Sequence, residues 1–251
     1  VAAWFLQNGL MLNASKTEAC IFGTSQRLKT VVNLKPDLKC LGEPIKFVDS
    51  VRILGVTLDS SLSMNKHVSD TVSNCNYYVR ALRHIRKSLT HDAAVSIACS
   101  LVNTRLDYCN SLLHSTSANN LLRLQRVQNN LARVVLNLHR RESVKHHIYA
   151  LHWLPVNERI EYKLACVTYK ALYSGQPQYL SDCLVKHTPA RILRSNSQYM
   201  LNTPFCSLKA AISAFTFAAP KIWNLLSDLT KSADSIEMFK SRLKTELFRR
   251  L

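Results

Sequence analysis

The chain has 251 residues, 47% of them hydrophobic, and a formal net charge of +17. That is enough apolar material for one large or two small cores. With only 5 Gly and 7 Pro and long stretches rich in Leu, Val, Ile and Ala, the composition favours helices over a β-sandwich. No stretch reaches the ~18 apolar residues of a membrane helix, and the apolar opening segment lacks the preceding basic residues of a signal peptide. A soluble, intracellular protein of the cytoplasm or nucleus, not secreted and not in a membrane, is expected. The chain begins with Val1 instead of Met, which reads as a fragment or a truncated frame.

Residues 1–12 read as the end of an amphipathic helix stopped at Asn8-Gly9. Short extended segments are expected over 10–13, 18–22, 30–34 and 45–48. Residues 51–58 are a stronger strand candidate, with β-favouring Val51, Ile53, Val56 and Leu58, and Gly55 suggests a bulge or a close backbone approach. From Lys66 the period becomes helical: Val68, Val72, Cys75, Val79, Leu82 and Leu89 form one stripe. Arg80, Arg83, Arg86 and Lys87 gather at the C-terminal end, where the helix dipole favours cations.

Thr90-His91-Asp92 reads as a break and a new N-cap, followed by one or two helices over 93–113. A helix over 118–138 buries Leu121, Leu124, Gln128, Leu131, Val135 and Leu138. The segment from Trp153 to Asn157 turns into a helix ending near Gly175, with Tyr162, Tyr169 and Tyr173 on one side. Tyrosines at that spacing are more often core than base-stacking platforms. Residues 176–210 hold Pro177, Pro189 and Pro204 and read as a linker. Pro220 interrupts an aromatic segment over 215–223, and a last helix starts near Asp234 with Ile236, Phe239, Leu243 and Leu247 inward.

The 8 Cys residues contain no C-x-x-C pair and read as reduced core residues. Cys183 with His187, or His146, His147 and His152, could contribute zinc ligands, but their spacings match no strong zinc pattern. No metal ligand is assigned.

The positive charge is uneven. Residues 80–147 hold 11 Lys/Arg against 3 Asp/Glu, whereas residues 1–60 hold 7 against 5. Such a basic middle segment favours a polyanion, most often nucleic acid. Within it, Arg123, Arg126 and Arg133 share a helix face with Asn130 and could follow a phosphate backbone. Arg140, Arg141 and Lys145 follow directly and extend the candidate surface.

Several segments, in order, resemble non-LTR retrotransposon reverse transcriptases of the chicken-repeat and jockey-like kind. Trp4 and the run from Asn8 to Glu18 look like the fourth palm motif. Val51-Arg52-Ile53-Leu54-Gly55-Val56-Thr57-Leu58-Asp59 resembles the fifth, the primer grip. Leu62-Ser63-Met64-Asn65-Lys66-His67-Val68 is similar to the start of the thumb, with Met64 where the family usually has Trp. Further matches are Leu124-Gln125-Arg126-Val127-Gln128-Asn129, then Leu151-His152-Trp153-Leu154-Pro155 continuing to Leu172. Ala218-Ala219-Pro220-Lys221-Ile222-Trp223-Asn224-Leu225 and the ending from Phe239 to Phe248 complete them. Ser213-Ala214-Phe215 departs from the family, which has Gly and Arg before the aromatic residue; this suggests a drifted copy.

The resemblance implies a mainly α chain: a small α/β palm remnant over 1–60, a helical thumb and basic region over 61–175, and a C-terminal helical region over 176–251. It implies an RNA-directed DNA polymerase binding RNA and RNA/DNA hybrid, with the rest of the palm, the fingers and the endonuclease in a missing part. Lys16 takes the place of a lysine that acts as general acid in the full-length enzyme, and Leu54 and Gly55 that of the primer grip. Polymerases of this kind hold two Mg2+ ions on paired carboxylates. No two acidic residues are adjacent here, and Glu158 and Glu161 read as surface partners of Arg159 and Lys163. No cofactor is therefore expected in this chain, Mg2+ belonging with the missing carboxylates, and the chain alone is not expected to polymerise DNA. The competing expectation is a relic of a degraded element, or a helical protein-interaction module that binds no nucleic acid.

Overall fold

A computed structural model describes residues 2–31, 36–188, 199–205 and 209–251. Residues 32–34 of the strand expected over 30–34, together with Pro189 and Cys206, lie outside the described residues. The chain is mainly α and forms two compact units, Val1–Asp70 and Thr71–Leu251. Sequence placed boundaries after residues 60 and 175.

The first unit holds helix α1 (Ala2–Gln7), a 3-10 turn (Ala14–Lys16), strand β1 (Glu18–Ala19) and α2 (Ser25–Val31). Then come β2 (Lys39–Cys40), β3 (Glu43–Pro44), β4 (Lys46–Phe47), β5 (Ser50–Ile53) and β6 (Val56–Asp59). β1 pairs in parallel with β4, while β2–β3 and β5–β6 are antiparallel. Residues 30 and 31, expected as strand, end α2 instead, where Thr30 Oγ1 donates to the Gln26 carbonyl at 3.1 Å. The chain over 10–13 is not strand, and the strand expected over 18–22 shrinks to β1.

The strand expected over 51–58 is a hairpin. Leu54 and Gly55 both have positive φ, 46° and 84°. That is the two-residue turn whose twist suits antiparallel strands, so Gly55 makes a reversal and not a bulge. Asp59 closes this region by accepting from the Ser63 N–H at 2.9 Å and from the Ser61 and Ser63 hydroxyls at 2.7 and 3.0 Å. Burial alone would raise its pKa; those bonds favour the carboxylate more and hold it below the usual value. Met64 follows, buried at φ 62°, and opens α3 (Asn65–Ile85). One turn into that helix His67 is buried, and its Nδ1 accepts the Thr57 N–H at 3.5 Å.

The second unit takes up α3 from Thr71. A 3-10 turn (Arg86–Ser88) leads to α4 (His91–Ala98), a π-helical turn (Cys99–Asn103), α5 (Thr104–Asp107) and a 3-10 turn (Asn110–Leu113). The one or two helices expected over 93–113 are a continuous helical run from His91 to Asp107, with the π-helical turn inside it, followed by the short 3-10 turn. Thr90 caps α4 by accepting the Ala93 N–H at 3.3 Å. Next are α6 (Ala118–Val135), α7 (Lys145–Ala150), α8 (Val156–Ser174), α9 (Gln178–Ser181) and α10 (Lys209–Ile212). The chain closes with α11 (Phe215–Asn224), α12 (Asp228–Lys231) and α13 (Ile236–Arg249). Among the described residues no helix is long and apolar enough to cross a membrane.

α8 is the hub: α5, α6, α11, α13 and the Asn110–Leu113 turn all pack on it. Phe239, Leu243 and Leu247 of α13 are buried, as their spacing predicts, and each contributes about 1.5–3 kcal/mol by leaving water. Tyr169 stacks on Phe239 and on Tyr173, both at 4.3 Å. The hydroxyls of Tyr169 and Tyr173 donate to the Ala233 and Lys231 carbonyls at 2.6 and 2.7 Å. These two tyrosines are packing residues, as their helical spacing suggested. Pro220 does not interrupt α11, which runs through it with Ala218, Ala219, Ile222 and Trp223 buried. Asn224, one residue on from Trp223, exchanges two side-chain hydrogen bonds with the Leu201 backbone at 2.9 and 2.8 Å and donates a third to Thr203 Oγ1 at 3.3 Å. The last helix begins at Ile236, two residues after Asp234, and is capped by Ser235, which accepts the Met238 N–H at 3.1 Å.

Two glutamines join α6 to the start of α8. Gln128, fully buried, donates to the Leu154 carbonyl at 2.8 Å and accepts from Gln125 at 3.0 Å. Gln125 Oε1 in turn accepts the Val156 N–H at 2.9 Å, an N-terminal amide that the preceding Pro155 does not cap. Replacing Gln128 by Leu removes one of two partners from Gln125 Nε2, which also reaches Asn129 Oδ1, and from the Leu154 carbonyl, which Arg159 Nε also reaches. It should cost about 1 kcal/mol in urea unfolding; an unchanged midpoint would show that the bonds add nothing.

His67 makes a pH-dependent contribution. Burial lowers its pKa below 6.5; Asp70 opposes the shift and Arg52 adds to it. The folded form therefore binds fewer protons than the unfolded chain. Stability should be full above pH 6.5 and decline as pH falls through that value. In an NMR titration of the imidazole, a midpoint at or above 6.5 would contradict this.

Candidate nucleic-acid interface

The C-terminal end of α3 and that of α6 form a groove of about 610 Å3 in the second unit. Arg83, Arg86 and Lys87 line it from the first side. Asn130, Arg133 and Val134 of α6 and residues 137–140 beyond it form the other. Five Lys or Arg side chains and His139 thus share one concavity, and no carboxylate among the described residues lines it. Asn137 ends α6 at φ 56°, and Leu138 N–H returns to the Arg133 carbonyl at 2.9 Å. That reversal carries His139 and Arg140 back over the groove.

The five cations are not equivalent. Arg86 Nε donates to the Val135 carbonyl at 2.8 Å and its Nη1 to the Leu89 carbonyl at 2.9 Å. It therefore satisfies an end carbonyl of α6 and complements the negative end of that helix. Arg133 is partly held, donating to the Glu142 carbonyl at 3.2 Å and to Asn130 Oδ1 at 3.3 Å. Arg83, Lys87 and Arg140 are exposed.

Among the residues expected to bind nucleic acid, Arg133 and Arg140 line this groove, while Arg123, Arg126, Arg141 and Lys145 do not. Arg123, Arg126 and Arg133 do share one face of α6, within about 80° of helix surface, with Arg126 exposed and Arg123 half-buried. Arg141 and Lys145 are exposed beyond the helix. The partners missed in sequence are Arg83, Arg86 and Lys87. Their i, i+3, i+4 clustering was visible but was explained by the helix dipole alone. In the first unit Lys16 is exposed on its 3-10 turn, with Asn13 Oδ1 accepting its N–H at 3.2 Å. Leu54, 87% exposed, and Gly55 form the tip of the β5–β6 hairpin.

No protein-family model, curated protein or solved structure matches the chain. Its site is therefore read from its own chemistry. Among the described residues no three His, Cys, Asp or Glu side chains come together to hold a metal ion. His147 instead pairs with Glu142 at 3.4 Å. The seven described cysteines are free, and burial pushes the Cys75 and Cys166 thiols up to about 11, too high for a reactive thiolate.

The expected surface pairing of Glu158 and Glu161 with Arg159 and Lys163 is not formed among the described residues. Arg159 turns to Asp107, its Nη1 lying 2.9 and 2.8 Å from the two oxygens, and its Nε donates to the Leu154 carbonyl at 2.8 Å. Burial raises the pKa of Glu161, and the neighbouring Glu158 charge adds to it.

The division of labour in the groove is testable. Arg86→Ala should lower stability by about 1–3 kcal/mol, because it strips two carbonyls of a charged donor. Arg83→Ala, three residues away and exposed, should leave it within about 0.5 kcal/mol. Thermal unfolding of the two variants decides between this and equal roles.

Proposed function

We propose that this chain is the C-terminal part of a non-LTR retrotransposon reverse transcriptase and that it holds RNA or RNA/DNA hybrid by its phosphates. The observation that carries the nucleic-acid reading is the groove, where five Lys or Arg side chains converge without a carboxylate. A net charge of +17 attracts any polyanion; a concavity of one sign concentrates that attraction at a place. The ordered series of motifs supports the family. In this reading Arg83, Lys87, Arg133 and Arg140 contact phosphate, and Arg126 and Arg123 continue the track along α6. Leu54 and Gly55 serve as primer grip and Lys16 as general acid only beside the polymerase carboxylates of a larger enzyme.

Phosphate contacts position a strand without reading its sequence, so binding should be weakly selective and strongly salt-dependent. Fluorescence anisotropy with a labelled RNA/DNA hybrid across a salt series should give a log–log slope of roughly −4 to −5 for about five contacts. Changing Arg83, Lys87, Arg133 and Arg140 together to Ala should flatten it by about 3 to 4. A folded chain that fails to bind at low salt would overturn the proposal and leave a helical interaction module.

A further inference from the structure

A second cleft in the Thr71–Leu251 unit, of about 310 Å3, is lined by Asp107, Asn110, His152, Arg159, Tyr162, Lys163, Leu154 and Lys244. It differs in kind from the basic groove. Its volume lies at the lower end of the range for small-molecule sites, about 300–1,000 Å3. Asn110 is only 3% exposed, and its Oδ1 has no hydrogen-bond partner among the described residues. A buried amide oxygen left unpaired is costly, and Asn110 is one of the residues lining the cleft, so a ligand that brings a donor would offset that cost.

The backbone around it is unusual. Cys109, immediately before Asn110, has φ 50°, a left-handed conformation that non-glycine residues rarely adopt. The π-helical turn Cys99–Asn103 leads into α5, which carries Asp107, and such turns recur at functional sites. Asp107 is engaged by Arg159, which leaves Lys163 and Lys244, both exposed, as the charges at the mouth. Tyr162 and His152 add two flat rings to the lining.

We infer that this cleft takes a single nucleotide, its phosphate at Lys163 and Lys244 and an N–H of its base donated to Asn110 Oδ1. A nucleotide carries both groups the site lacks, an anion and a planar donor. It comes either free from solution or as one residue splayed out of a bound strand, as single-stranded RNA is commonly read. The inference shares with the proposed function only the class of ligand, since the two sites have no lining residue in common.

The test is calorimetric titration of the full chain with CMP, ribose 5-phosphate and inorganic phosphate. A base held by a buried, otherwise unpaired acceptor should make CMP bind about tenfold or more tighter than either baseless anion. Lys163→Glu with Lys244→Glu should weaken CMP by a similar factor or more. Asn110→Leu should bring CMP down to ribose 5-phosphate. Equal affinity for CMP and ribose 5-phosphate on the unmodified chain, or no binding of any of the three, would overturn the inference even if Asn110→Leu does not fold. A single-stranded oligonucleotide separates the sources. Weakening by the lysine pair points to a nucleotide within a strand, whereas strand binding lost only in the Arg83/Lys87/Arg133/Arg140 variant, with CMP retained, points to a free nucleotide. CMP binding by a chain that binds no strand would keep this inference and remove the proposed function.

Discussion

The second unit depends on one polar connection through its apolar interior. Gln125 and Gln128 sit one turn apart on α6 and reach the turn that starts α8. Gln128 is buried among residues of the apolar stripe, where an unpaired amide would be costly. It is tolerated because it meets the Leu154 carbonyl, which Arg159 also reaches. The register of α6 against α8 is thereby set by hydrogen bonds as well as by volume. Because α8 touches α5, α6, α11 and α13, that register is passed to most of the unit. The tyrosines of α8 then fasten α12 and α13 on its other side through their hydroxyls and rings.

A second pairing, of α3 with α6, gathers the charge of the basic segment. Bringing the ends of α3 and α6 together places like charges in one concavity, which is repulsive. Part of that cost is offset because Arg86 spends its charge on the end carbonyls of the neighbouring helix, where a cation is favourable. Arg133 is partly taken up by its own acceptors, and Arg83, Lys87 and Arg140 stay exposed. A groove of this kind is thus partly structural and partly available, and the division can be read from which guanidinium donors already have acceptors. A similar economy operates at the C-terminus. Glu246 accepts from Ser227, Thr230 and Arg250. Burial alone would raise its pKa, but these partners hold it below the ordinary value.

The helical part was legible because its signals are local. Apolar steps of three and four residues located α3, α6, α8 and α13, and Thr90 capped α4 as expected. The first unit was read less well. Its strands are two to four residues long, too short for alternation to show. Residues 30–31 looked extended because Thr and Val favour strands, yet they complete a helix. Gly55 looked like a break within one strand because the apolar residues on both sides of it favour strand, and Leu54 gives no turn signal of the Asn-Gly or Asp-Gly kind. Arg133 and Arg140, two of the five groove cations, were legible as part of the basic run on and after α6. That Arg83, Arg86 and Lys87 join them was not, because no sequence rule brings residues 83–87 beside residues 130–140.

The sequence by itself determined where helices form, which faces they bury and where positive charge is dense, since each follows from neighbours within a few turns. It also carried the ordered motifs that suggest a reverse transcriptase. Tertiary structure alone decided which arginines are occupied and which are spare, that Arg159 pairs with Asp107 and not with its helix neighbours, and that Asn110 lies buried with an unsatisfied oxygen on a cleft. These are matters of distance between residues far apart in the chain. Hydrogen bonding and burial act over a few ångströms in space, and sequence separation does not encode that distance.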